Sequence, residues 1–79
     1  MRVHIKSEEI PSVQEILAHL DNSKNFDFYK LFLSIYYGAL RTIAGVVGFE
    51  SVRISLADVQ LIMQYHSALH TWVFDFKKL

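Results

Sequence analysis

The 79-residue chain contains no cysteine. That excludes disulfides and thiolate metal sites, and it removes the thiol from any list of nucleophiles. Net charge is also missing, since eight basic residues balance eight acidic ones. A neutral chain gains little from long-range attraction to nucleic acid or to an acidic membrane surface. Proline occurs once and glycine three times, too few for a flexible linker or a glycine-rich phosphate loop. The G-x-S-x-G pattern of a nucleophile elbow does not occur. An uninterrupted membrane-length apolar run is missing as well. The most apolar stretch, Phe28 to Phe49, is cut by Lys30 and Arg41; ten residues separate these two, and eight separate Arg41 from Glu50. A span needs about 20 apolar residues, and an arginine at its centre costs about 2.5 kcal/mol or more. No membrane span is therefore expected. The opening "MRVHIKSEE" lacks the apolar centre of a signal peptide, so the expected compartment is the cytoplasm.

Apolar residues are abundant. They make up 52% of the chain, with only 20% charged. A single small domain, residues 1–79, buries about 60–65% of the surface its unfolded chain exposes. So much apolar surface cannot all be hidden inside one such unit, and association with a second copy or another protein is the expected resolution.

Hydrophobic periodicity gives a mainly α reading of the α+β type. Arg2–Lys6 alternates with period two and predicts a short strand. Ser12 followed by Glu15 forms a capping box, and Val13, Ile16, Leu17 and Leu20 lie on one stripe, predicting a helix over about 12–20. Turn chemistry over Asp21–Asn25, with Ser23 or Asn25 as cap, leads into a second helix over about 25–45. This helix is apolar almost all round, with Phe28, Phe32, Ile35, Tyr36, Ala39 and Ile43 as one stripe. Gly38 in its middle costs about 1 kcal/mol relative to alanine, and Gly45 and Gly48 close it. "ESVRIS" alternates again and predicts a second strand over about 50–54, pairing with the first in a two-stranded ribbon. Ser55 and Asp58 resemble a capping box. After them Val59, Ile62, His66, Leu69, Val73 and Phe76 recur at spacings of three and four, predicting a third helix over about 55–72. Trp72, Phe74 and Phe76 also alternate, so 72–77 reads as helix or strand. The predicted core is Ile16, Leu17, Leu20, Phe32, Ile35, Ala39, Ile43, Ile62 and Leu69.

His66 and His70, four apart on a predicted helix, could place two imidazoles on one metal ion. No third ligand follows at a recognisable spacing, so neither a metal nor any other cofactor is expected. A histidine in an apolar seam would instead fix register and make assembly sensitive to pH. A basic face for nucleic acid would have to come from Arg2, Lys6, Arg41 and Arg53. Four dispersed cations in a neutral chain more often form a solvated rim. No constellation of acid, base and nucleophile appears, and an enzyme is not expected. The leading reading is a non-catalytic protein-binding module, homodimeric and of the small adaptor or inhibitor type found in phages and mobile elements. Its partners would be itself and an unidentified protein. Trp, Tyr and Arg dominate interface energies, so the predicted interface is Tyr37, Gly38, Arg41, Tyr65, His66 and Trp72. The rival reading is a small dimeric nucleic-acid-binding regulator.

Overall fold

The computed structural model describes residues 1–20, 24–46 and 49–79. Asp21 to Ser23 and Gly48, which carry part of the expected turn and helix stop, lie outside them. The described chain runs β1 (Arg2–Lys6), α1 (Val13–Ala18), α2 (Phe26–Ala44), β2 (Ser51–Leu56), β3 (Val59–His66), a 3₁₀ turn (Ser67–Leu69) and β4 (Thr71–Lys78). The strands form one antiparallel sheet in the order β1-β4-β3-β2.

This overturns the expected arrangement of three helices and a two-stranded ribbon. There is no helix over 55–72; that segment is mostly β3 and the start of β4. The expected ribbon is also absent, because β1 and β2 occupy opposite edges of the sheet. The physical reason lies in how the last 20 residues alternate. Val59, Leu61, Met63 and Tyr65 fall on one side of β3, and Gln60, Ile62, Gln64 and His66 on the other, as their pairing with β4 requires. Leu56 pairs with Val59 across a two-residue turn, in which Ala57 adopts φ 54°. Asp58 therefore belongs to a hairpin turn, not to a helix cap. A second reversal at Ser67–His70 ends with His70 at φ 47°. Two tight reversals allow both strands to bury apolar residues that a single helix would have left on several faces.

The helices cover one face of the sheet. Ser12 Oγ accepts the Glu15 amide hydrogen at 3.2 Å and starts α1; Ile16 and Leu20 are fully buried. From α2, Tyr29, Phe32, Leu33 and Leu40 point inward. They meet Val3 and Ile5 of β1, Leu61 and Met63 of β3, and Trp72, Phe74 and Phe76 of β4. The joint between layers is aromatic: Phe76 stacks on Tyr29 at 4.4 Å and meets Phe32 edge-on at 5.7 Å. Ile16, Leu20 and Phe32 are core residues as expected, whereas Ile35, Ala39 and Leu69 are exposed. α2 is thus rotated from its expected setting, which its near-uniform apolarity left open.

No described element covers the opposite face of the sheet. Cross-strand pairing places Arg2, His4 and Lys6 beside Asp75, Val73 and Thr71, and then beside Ile62, Gln64 and His66. Arg53 of β2 completes the row that starts at Arg2. Asp75 is buried in this face, 8% exposed, and holds Arg2 at 3.3 Å and Lys77 at 3.9 Å. No helix among the described residues is long and apolar enough to cross a membrane.

Candidate functional site

Two features stand out on the helical side: the outer face of α2 and a cleft along its flank. At 100° per residue, Leu31, Ser34, Ile35, Gly38 and Thr42 point away from the sheet. Leu31 and Ile35 are 52% and 53% exposed, a placement with no benefit to an isolated chain. The Ser34 hydroxyl donates to the Lys30 carbonyl at 2.7 Å, and the Thr42 hydroxyl donates to the Gly38 carbonyl at 2.9 Å. Both hydroxyls are thereby turned into their own helix, leaving small, weakly polar surfaces between the large apolar side chains. A Cβ on Gly38 would meet nothing within 4 Å. No contact among the described residues therefore requires a glycine there. Gly38→Ala should raise the stability of the monomer by about 1 kcal/mol, the helix-propensity difference; urea denaturation at low protein concentration measures it.

The cleft has a volume of about 590 Å³. The loop after β1 supplies Glu8, Glu9 and Ile10, the start of α1 supplies Ser12 and Glu15, α2 supplies Tyr37, Arg41 and Ala44, and β4 supplies Trp72. Some of its polar groups are already used. Ser12 caps α1, and the Tyr37 hydroxyl donates to the buried Pro11 carbonyl at 2.8 Å, tying the loop to α2. Trp72 is 3% exposed. Its ring lies 4.5 Å from Tyr65 and 6.3 Å from Phe49. Its indole N–H is buried with no hydrogen-bond acceptor, alone in this among the described side chains.

The structure thus brings together three of the six expected interface residues, Tyr37, Arg41 and Trp72, in one cleft, with Tyr65 packed behind Trp72. Gly38 lies beside them on the outer face of α2. His66 is separate: it ends β3, pairs with Thr71 and is exposed. The apolar helix seam that would have made it a pH-sensitive register residue does not exist. His70 sits in the turn before β4, so the helical spacing behind a shared metal is also gone. No group of three His, Asp or Glu among the described residues could hold a metal ion. Arg2, Lys6 and Arg53 share the open sheet face, while Arg41 lies in the cleft and takes no part in it. The glutamates of the cleft were not legible as a group, because only the fold of the loop onto α1 and α2 brings Glu8, Glu9 and Glu15 together. No protein-family model, curated protein or solved structure matches this chain.

Proposed function

We propose that this chain is a non-catalytic protein-binding module, of the adaptor or inhibitor type, that works as a homodimer built on the outer face of α2. We place it in the cytoplasm as part of the same proposal. The observation that carries the reading is the self-complementary pattern of that face. An antiparallel pairing of two α2 helices about an axis between positions 34 and 35 sets Leu31 opposite Gly38 of the second copy. It also sets Ile35 opposite Ser34. A large side chain meets a small one at each step, which lets the helices approach closely. Lys30 falls opposite Ala39 and Asp27 opposite Thr42, so no like charges are brought face to face. One helix pair is a small contact beside the roughly 1,200–2,000 Å² of standard interfaces, so the dimer is concentration-dependent. Sedimentation equilibrium over a rising concentration series should show the mass climbing from 9.2 kDa toward twice that value. A constant monomer mass into the millimolar range would count against the reading.

One observation favours the nucleic-acid reading. The open sheet face carries Arg2, Lys6, Arg53 and Lys77 against Asp75 alone, although the whole chain is neutral. Among the described residues it presents no Phe, Tyr or Trp for stacking on bases, and Asp75 engages two of the four cations. Any binding there would be through phosphates and would fall steeply with salt. Heparin retention that survives Lys6→Ala with Arg53→Ala would rule out this face.

A further inference from the structure

We infer that the cleft between the β1–α1 loop and α2 is a binding site for an arginine- or lysine-bearing extended segment of a partner protein. The inference rests on the protein-binding reading above and names the chemistry of the partner. Three carboxylates, Glu8, Glu9 and Glu15, line the cleft against the single cation Arg41. None of these four groups forms an ion pair among the described residues, so the cleft presents net negative charge that no described residue outside it pairs with. A cationic ligand is complementary to it.

The second observation is independent of charge. The Trp72 indole N–H is buried without an acceptor in a residue that lines the cleft. A buried donor left unpaired costs about 1–3 kcal/mol, and an acceptor brought by a ligand removes that penalty. The ring of Trp72 is already packed by Tyr65 and Phe49, and the N–H is the one polar group of this side chain. A peptide supplies both parts at once: a guanidinium or ammonium group for the carboxylates and a backbone carbonyl for the indole. A polyamine supplies only the first. The cleft volume of about 590 Å³ falls within the range of ligand sites. The Tyr37–Pro11 hydrogen bond holds the loop carrying Glu8 and Glu9 in place beforehand, which reduces the ordering cost of binding.

Trp72 is the chain's only tryptophan, so its fluorescence reports on this cleft alone. The full chain is titrated with an acetylated, amidated pentapeptide of arginine and alanine, with the same peptide carrying neutral citrulline for arginine, and with spermine. The arginine peptide should change the emission saturably, and both other probes should bind at least tenfold more weakly. Glu8→Gln with Glu9→Gln and Glu15→Gln should weaken the arginine peptide at least tenfold while leaving the circular dichroism unchanged. Arg41→Gln should tighten it about twofold to fivefold, since it removes the one repulsive charge from an exposed position. An unchanged emission at millimolar peptide would overturn the proposal. So would equal affinity for the citrulline peptide, spermine binding as tight as the arginine peptide, or indifference to the three glutamine substitutions. Dimerisation is read separately by sedimentation, so failure of the cleft and failure of the α2 interface are distinguishable.

Discussion

Phe76→Ala should destabilise the domain by about 3–5 kcal/mol, the range for emptying a buried phenylalanine site. Phe76 lies in β4, the strand between β1 and β3, and is 2% exposed. It stacks on Tyr29 and meets Phe32 edge-on, so its ring joins the sheet to α2. Neither neighbour can fill the space without leaving the other unpacked. Small domains have total stabilities at the lower end of about 5–15 kcal/mol, so the variant should be largely unfolded near 37 °C. The informative control is Leu69→Ala. Both residues would sit on one seam if 55–72 were helical and continued to 76. In the sheet, Leu69 lies in the exposed 3₁₀ turn, and its replacement should change stability by no more than about 0.5 kcal/mol. Urea denaturation followed by circular dichroism measures both. Equal losses for the two variants would be incompatible with the hairpin of β3 and β4.

The second large effect concerns association, not folding. Ile35→Glu should weaken self-association at least tenfold, about 1.4 kcal/mol or more, and leave monomer stability within about 0.5 kcal/mol. Ile35 is half exposed on α2 and packs nothing essential in the monomer. In the antiparallel pair it lies close to the axis, so the two introduced carboxylates would face one another as well as enter an apolar contact. Sedimentation equilibrium beside wild type reads the loss. A variant that associates as tightly as wild type would remove α2 from the interface.

The legible and illegible parts of this sequence differ for a physical reason. Arg2–Lys6 announces a strand because β1 is an edge with one wet face, so polar and apolar residues alternate cleanly. The start of α1 was legible because Ser12 and Glu15 satisfy the cap by chemistry local to the sequence. From Val59 onward both signals fail. On β4 the open-face row is Thr71, Val73, Asp75 and Lys77, but Val73 and Asp75 are buried along with Trp72, Phe74 and Phe76, so no clean alternation of burial marks the solvent face. Such a run satisfies helical and strand periods together. The two turns that decide between them rest on Ala57 and His70 at positive φ, residues that carry little turn signal. α2 is a helix as its pattern predicts, but it is rotated about its axis, because the outward Ile35 and Ala39 are apolar like the inward Tyr29 and Leu33. Of the residues that line the cleft, Trp72 and Arg41 stand out in the sequence only as residue types common at interfaces. Glu8 and Glu9 look in sequence like ordinary loop charges; only the Tyr37–Pro11 contact, 26 positions apart, folds their loop against α2.

The lack of cysteine permits one direct test of the central claim, that two copies meet along the outer face of α2. Introduced singly, Ser34→Cys lies next to the proposed axis, while Arg53→Cys lies on the open sheet face, away from α2. Under mild oxidation, non-reducing electrophoresis at the same protein concentration compares the two. The account predicts rapid formation of a covalent dimer by Ser34→Cys and little by Arg53→Cys. Equal rates, or faster cross-linking through position 53, would contradict it.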